Sequence, residues 1–141
     1  TYKQKGVKMK YIYIVITIIS LLILGVVGGC SSKSKTLDDV VTHFKNQGFE
    51  MGGKKELFYA MIGAEYGFWI TLDGERIELY KFNFDNPETD EAKKYTKQIK
   101  DNNKIIMMGI EVNFTINGDF ALNCDDHSKK QKIIEVFREF K

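Results

Sequence analysis

The stretch GFWITLDGERIELYKF, residues 67–82, decides the fold, because Asp73-Gly74 lies between two runs of alternating apolar and polar residues. Asp-Gly in that position is a strong signal for a β-hairpin with a two-residue turn. The cross-strand pairs that follow from this turn are Leu72 with Glu75, Ile70 with Ile77, and Phe68 with Leu79. The sequence therefore predicts an antiparallel hairpin with one apolar face.

The other face of this hairpin carries Trp69, Arg76, Glu78 and Tyr80. If helices cover only one side of the sheet, these side chains are exposed, and Trp, Tyr and Arg are enriched where proteins bind one another. The alternative is that a helix over residues 54–63 covers the two aromatic side chains, which then belong to the core. The pattern leaves both interpretations open, a protein-binding patch and ordinary core packing.

A second hairpin is expected in IIMMGIEVNFTINGDFALNC, residues 105–124. A two-residue turn at 117–118 would pair apolar residues with polar ones. A three-residue loop over 117–119 instead aligns Ile116 with Phe120, Phe114 with Leu122, and Val112 with Cys124. We therefore expect a bulged turn, with Cys124 on the apolar side of its strand as a buried thiol.

Helices are expected around the two hairpins, at stretches that begin with residues typical of helix starts. The stretches are residues 36–48, capped by Thr36; residues 54–63, whose aromatics suit a strand almost as well; residues 86–100, with Pro87 at the first helical position; and the C-terminal stretch, capped by residues 125–128. The element order is α(α)ββαββα. Consecutive hairpins and segregated helices indicate an α+β fold, an antiparallel sheet with its helices on one face.

Residues 1–29 have the features of a secretory signal, with lysines ahead of an uncharged run of 19 residues. The rival interpretation is an uncleaved membrane helix, since a run of this length is about long enough to span a bilayer. The stretch Val27-Gly28-Gly29-Cys30 resembles the lipobox of bacterial lipoproteins, in which an aliphatic and two small residues precede a cysteine. The resemblance implies that a diacylglycerol is attached to the Cys30 thiol and that cleavage leaves Cys30 as the mature N-terminus.

Residues 1–8 precede Met9, the first methionine of the sequence. Residues 5–9 can be encoded with a ribosome-binding AGGAG a few bases before ATG. We therefore expect translation to start at Met9, with residues 1–8 read from upstream DNA.

The rest of the chain is expected to form a lipidated cysteine with a short polar linker, residues 30–35, and a single α+β domain, residues 36–141. Four of the 21 basic residues and none of the 19 acidic residues precede Cys30, so the mature chain has 17 basic and 19 acidic residues and a net charge of −2. Interspersed charges of both signs leave no electrostatic footprint for nucleic acid. With Cys30 lipidated, Cys124 has no partner for an intramolecular disulfide.

Side chains that could support catalysis are few. Asp125, Asp126 and His127 form the best local group of metal-ligand types, but adjacent residues rarely converge on one ion, and a helix start is the favoured interpretation. His43 lies in the first predicted helix and is expected on its surface or half-buried. The sequence contains no G-x-S-x-G, H-E-x-x-H or phosphate-loop motif. We therefore expect no cofactor and no enzymatic activity.

Two longer stretches, MIGAEYGFWITLDGERIELYKFN and NGDFALNCDDHSKKQKIIEVFREF, resemble small lipoproteins of Gram-positive bacteria that have no assigned enzymatic activity. The resemblance implies a location at the outer face of the cytoplasmic membrane and a general scaffold, and it assigns no functional residues. We expect a surface-anchored, non-enzymatic module that binds an envelope protein, in one version an exclusion or inhibitory factor. The alternatives are a small-ligand-binding lipoprotein with a pocket under residues 49–67 and, last, a metal-dependent enzyme.

Overall fold

The structure, a computed structural model, describes residues 34–141. The predicted signal sequence, the lipobox with Cys30 and most of the linker lie outside these described residues. The elements, in chain order, are α1 (Leu37–Asn46), β1 (Met51–Glu56), a short 3-10 helix (Tyr59–Ile62), β2 (Tyr66–Leu72), β3 (Glu75–Lys81), α2 (Asp90–Asn102), β4 (Lys104–Met107), β5 (Ile110–Asn113), β6 (Thr115–Asn117), β7 (Phe120–Asn123) and α3 (Lys130–Glu139). The structure confirms the α+β class and the order of its main elements.

The β2–β3 hairpin forms as predicted. Leu72 pairs with Glu75, and the register continues without interruption to the far end of both strands. Asp73 and Gly74 have φ angles of 50° and 88°. Positive φ at both central residues is what a two-residue hairpin turn of the right twist requires, so the local sequence is sufficient to set this register.

The main sheet has five antiparallel strands in the order β1-β2-β3-β7-β6, and β4 and β5 form a separate two-stranded ribbon. None of the helices within residues 34–141 has the length and hydrophobicity of a transmembrane span.

Both faces of the sheet are covered, so the expectation of helices on one face is wrong. A first apolar cluster packs α1 and α3 on one face; its members include Phe44, Phe68, Leu72, Leu79, Leu122 and Phe137. A second cluster packs α2, the 3-10 helix and the ribbon on the other face; its members include Ile62, Tyr80, Tyr95, Ile99, Ile105 and Ala121. Successive residues along β3, and likewise along β7, therefore point to opposite faces of the sheet and belong to different apolar clusters.

Residues 54–63 do not form the expected helix. They divide between the edge strand β1 and the 3-10 helix, and β1 begins at Met51. All but one of the side chains of β1 are exposed, and the strand is held through its backbone ladder to β2, with a bulge between Gly52 and Lys54. An edge strand that contributes little to the core shows no apolar alternation, which is why the pattern did not reveal it.

The expected second hairpin is divided into two hairpins. Residues 104–113 make the β4–β5 ribbon, and β6 pairs with β7 through a two-residue turn at 118–119, with Asn117 opposite Phe120. The expected three-residue loop is therefore wrong, and Ile116 lies opposite Ala121. The error has a physical cause: β7 is buried on both faces, so apolar alternation does not specify its register.

Two helix starts also differ from expectation. The helix α2 is capped by the Thr89 hydroxyl, which accepts a hydrogen bond from the Ala92 N–H, and Pro87 lies outside it. The helix α3 begins at Lys130 and has no side-chain cap, because its N-cap residue is Lys129, one position after residues 125–128. Between these ends the predicted apolar side chains are buried, Ala92 and Ile99 in α2 and Ile133 and Phe137 in α3.

Candidate functional site

Strand β3 extends past the end of its neighbour β7. It pairs with β7 only from Glu78 onward, whereas its first residues pair with β2 alone. Hydrogen bonding alternates along an antiparallel strand: the Lys81 carbonyl bonds toward β2 and the Phe82 N–H toward β7. The peptide groups of Arg76 therefore point away from β2, into the space that β7 leaves open.

That open space is a groove of about 460 Å³, here called the β3 groove. One wall is the first half of β3, and the other is the chain that leaves β7. Its lining residues are Glu75, Arg76, Ile77, Glu78, Asn123, Cys124, Asp125 and Asp126. Of its four carboxylates, Glu78 is paired with Arg76 and Asp125 with Lys130, so Glu75 and Asp126 leave a net negative charge that suits a ligand with positive charge.

An aromatic and a cationic side chain lie together beside the groove. The guanidinium carbon of Arg76 is 5.3 Å from the centroid of the Trp69 ring, within the range of a cation–π contact. Arg76 also donates to Glu78 Oε1 at 2.5 Å, and its side chain remains 53% exposed. Trp69 is half-buried and Arg76 is exposed, so the pair forms a platform that is partly open to solvent.

Tyr80 does not belong to this exposed surface. It is 7% exposed and lies in the second cluster, where its ring makes an edge contact with Phe114. Its hydroxyl donates to Glu78 Oε2 at 2.8 Å. Burial, and then the adjacent Glu78 carboxylate, raise the pKa of the Tyr80 phenol above its usual value. Of the four residues of the predicted patch, the structure keeps Trp69, Arg76 and Glu78 at the surface and places Tyr80 beneath them.

The side chains of Asp125, Asp126 and His127 diverge. The His127 ring is buried; its Nε2 lies 2.8 Å from the Leu72 carbonyl oxygen, and its Nδ1 accepts from the Lys129 N–H at 3.0 Å. These partners assign the proton to Nε2 and leave no lone pair for a ligand. Within residues 34–141 there is no group of three metal-ligating side chains that could hold an ion.

The two aspartates contribute to the groove in different ways. Asp125 accepts from Lys130 Nζ at 2.5 Å and from Asn113 Nδ2 at 3.0 Å. Burial on its own would raise the pKa of Asp125, but these hydrogen bonds outweigh it and the pKa is lowered. Asp126 is exposed at the mouth. One carboxylate is thus fixed in the wall, and the other faces solvent.

Glu75 is fixed at the opposite end of the groove. Its carboxylate accepts from the Ser128 N–H at 2.7 Å and from the Ser128 hydroxyl. These two hydrogen bonds hold the pKa of Glu75 below its usual value of 4.5. The groove wall is therefore tied to the turn that precedes α3.

Cys124 and His43, the other side chains that could take part in catalysis, have structural roles. Cys124 is a free, buried thiol, and burial raises its pKa to about 11, so it stays protonated at neutral pH. His43 Nε2 lies 2.9 Å from the Val136 carbonyl oxygen, and its ring packs on Phe140. This contact holds α1 to α3.

Four of the eight groove residues are candidates in the sequence, in two unrelated groups. Arg76 and Glu78 were assigned to a patch, and Asp125 and Asp126 to a helix start. The β3–β7 pairing brings the groups together and adds Glu75 and Asn123, which no local signal marks. Comparison of the chain with protein-family models, curated proteins and solved structures gave no match.

Proposed function

We propose that the chain is a surface lipoprotein, anchored through Cys30 at the outer face of the cytoplasmic membrane, that acts as a non-enzymatic protein-binding module. The observation that carries this proposal is the open edge of β3, which lies in a groove beside the Trp69–Arg76 platform. The lipobox and the basic, apolar leader support the location.

The partner supplies an extended, basic segment. An extended peptide can add to an open strand edge by main-chain hydrogen bonds, and alternate side chains then provide specificity. In the β3 groove the N–H and C=O of Arg76 are the groups available for such bonds. Lys or Arg side chains of the segment pair with Asp126 at the mouth and with Glu75 in the wall, the two carboxylates of the lining that have no Lys or Arg partner among the described residues.

The Trp69–Arg76 platform provides the contact area that a short strand addition lacks. Trp and Arg dominate the energetics of protein interfaces because they bury large surfaces and lose little conformational freedom when already fixed. Arg76 is held by both Glu78 and the indole before any partner arrives. A pre-ordered anchor lowers the entropic cost of binding.

Crosslinking tests this function. The intact lipoprotein is crosslinked in its own membrane, and captured proteins are identified by mass spectrometry. We expect a partner that the parent captures and that Trp69→Ala/Arg76→Ala does not. The matched control is Arg138→Ala, which removes an exposed arginine from α3. Recovery of the same proteins by all three forms would contradict the proposal.

A second pair of variants separates the strand edge from the side chain. Arg76→Ala removes the guanidinium, and Arg76→Pro removes the guanidinium and the N–H that points into the groove. Proline is tolerated where its missing N–H faces away from the sheet. We expect Arg76→Pro to capture less partner than Arg76→Ala at equal abundance. Equal capture by the two variants would exclude strand addition.

In the exclusion version of this function, the bound segment belongs to the entry machinery of a phage or conjugative element. A deletion strain is then expected to become more sensitive to phage or a better recipient in conjugation, and Trp69→Ala/Arg76→Ala is expected to behave like the deletion. Unchanged phage sensitivity and unchanged conjugation would exclude this version. The crosslinking experiment would still decide whether the protein binds a partner.

A second candidate function, capture of a small ligand, is favoured by one observation. A cavity of about 390 Å³ lies between the 3-10 helix and the start of α2, lined by Tyr59, Ala60, Asn83 and Pro87 among others. That volume is within the range of small-molecule sites. An envelope extract that raises the Tm of the parent, and not of Ala60→Phe, would support this function.

A further inference from the structure

The β4–β5 ribbon ends in an apolar tip. Its base packs on the second cluster through Ile105 and Val112. Beyond this support, Ile106 is 56% exposed, Met108 91% and Ile110 67%. Large apolar side chains at such exposure, gathered at one protruding turn, mark a surface that contacts an apolar medium or partner.

The turn at the tip uses a residue that its backbone disfavours. Met108 has a φ angle of 52° and Gly109 of 80°, the left-handed pair that a two-residue hairpin turn requires. Asn or Gly is the usual residue at the first of these positions, because other side chains crowd the backbone there. Met108 is thus disfavoured both by its backbone conformation and by its exposure, which indicates that its side chain has a role outside the fold.

The apolar side chains point in several directions. Met107 pairs with Ile110, and Ile106 pairs with Glu111, so Ile110 and Ile106 lie on opposite faces of the ribbon. Met108 is at the apex. Glu111 shares the face of Ile106, and its carboxylate accepts from Lys104 Nζ at 2.8 Å. A flat protein interface needs apolar groups on one side only, whereas a tip with an exposed apolar side chain on each side suits insertion into a medium that surrounds it.

The middle of α2, the helix beside the ribbon, is basic, and its three acidic residues lie at its two ends. Residues 92–100 contain four lysines and no acidic residue. The Ile106 N–H donates to Gln98 Oε1 at 3.3 Å, and Lys94 lies one turn from Gln98 on the same side of α2. Lys94 and Lys97 are exposed and make no ion pair with any residue of the described range 34–141. Positive charge beside an apolar tip is complementary to an anionic lipid surface.

We propose that the β4–β5 ribbon is a membrane wedge: Ile106, Met108 and Ile110 insert among the lipids while Lys94 and Lys97 contact anionic headgroups. The ribbon extends about 10 Å from its base to the tip, so the wedge reaches the headgroup region and the upper acyl chains without spanning the bilayer. The wedge rests in part on the proposed function, because a lipid on Cys30 would leave only a few residues between the bilayer and the start of the domain.

The test places a fluorescent probe at the tip of the full-length lipoprotein. Met108→Cys and, as control, Lys45→Cys on α1 are labelled with an environment-sensitive dye; Cys124 is buried and does not compete. The labelled proteins are reconstituted in vesicles of phosphatidylcholine with phosphatidylglycerol. We expect acyl-chain quenchers to quench the probe at 108 severalfold more than the probe at 45, and aqueous iodide to do the reverse.

Three outcomes would overturn the wedge. Equal quenching at the two positions would show that the tip stays in water. Protection of the probe at 108 in native membranes, but not in lipid vesicles, would show that a protein covers it. Quenching at 108 that is unaffected by Lys94→Gln/Lys97→Gln and by replacement of the anionic lipid would exclude the headgroup contact.

The absence of a lipid on Cys30 can be distinguished from the absence of wedge insertion. Mass spectrometry of the purified chain shows whether Cys30 carries acyl chains. If it carries none, the uncharged run before Cys30 can hold the full chain on vesicles by itself, so acyl-chain quenching remains the readout, with the probe at Met108→Cys in a Cys30→Ser background. Ile106→Thr/Ile110→Thr is expected to lower this quenching severalfold, and equal quenching with and without these two substitutions would overturn the wedge.

Discussion

The imidazole of His127 joins two parts of the chain that are 55 residues apart, since its Nε2–H donates to the Leu72 carbonyl oxygen. The same ring accepts the Lys129 N–H through Nδ1. The end of β2 and the start of α3 are therefore held by one side chain. A histidine that resembles a metal ligand in the sequence is a structural bridge in the fold.

Replacement of His127 by leucine is expected to lower the free energy of unfolding by about 2–4 kcal/mol, because two backbone groups that are paired now would lose their partners. Denaturation in urea measures the loss. His43→Leu is the matched control: it removes one hydrogen bond from a half-buried ring and is expected to cost about 1 kcal/mol. Equal stability of His127→Leu and the parent would contradict the bridging role.

Acid is expected to weaken the fold through Glu75. Its folded pKa lies below the ordinary value of 4.5, so the contribution is complete above pH 4.5 and is lost as the pH falls through the folded value. Glu75→Gln is expected to reduce the loss of stability over this range, measured by urea midpoints at successive pH values. Glu139→Gln, at an exposed site on α3, should leave the profile unchanged. The same profile in Glu75→Gln and the parent would exclude Glu75 as the source.

The β2–β3 hairpin could be predicted from sequence because its turn is local: Asp73-Gly74 specifies the left-handed backbone and hence the register. The ribbon was missed because Met108-Gly109 uses the same backbone without the usual Asn or Asp. The register of β7 was wrong because this strand is buried on both faces. The groove was beyond any local pattern, since it depends on pairing between residues more than 40 positions apart, such as Glu78 and Asn123.

Contact between the 3-10 helix and α2 depends on Gly63. A Cβ at this position would lie 2.5 Å from the Ala92 Cα, and φ is 76°. Gly63→Ala is expected to lower stability by about 2–4 kcal/mol, from backbone strain and overlap together. Gly118→Ala has a similar backbone, φ 58°, with open space around it, and is expected to cost only about 1 kcal/mol. Thermal denaturation measures the stability of the two variants. Equal losses would show that the structure around Gly63 shifts to relieve the overlap with Ala92.

Cys124 is expected to resist alkylation while the protein is folded. Its thiol is buried and its pKa is about 11, so little thiolate is present and the sulfur is inaccessible. Iodoacetamide at pH 8 should modify Cys124 in urea and not in buffer, as read by the mass of the intact chain. An exposed thiol introduced by Lys45→Cys is the positive control. Rapid modification of Cys124 in buffer would show that the groove wall opens.

Met108→Asn is expected to stabilise the folded domain by about 0.5–1 kcal/mol while it weakens insertion of the tip. Asparagine adopts the left-handed backbone more readily than methionine does, and the substitution removes an exposed apolar side chain. The urea midpoint measures stability, and vesicle quenching with a probe at Ile110→Cys measures insertion. A variant that is less stable than the parent would show that Met108 supports the fold.

The bulge between Gly52 and Lys54 bears on how neighbouring copies behave when crowded. A flat, regular edge strand invites the edge of another molecule, and proteins held in the plane of a membrane would meet edge to edge often. The bulge distorts the outer ladder of β1, and the exposed Lys55 adds a charge that repels the same residue of a second copy, whereas Lys54 is paired with Asp38. The irregular first strand therefore disfavours edge-to-edge pairing of two copies through β1.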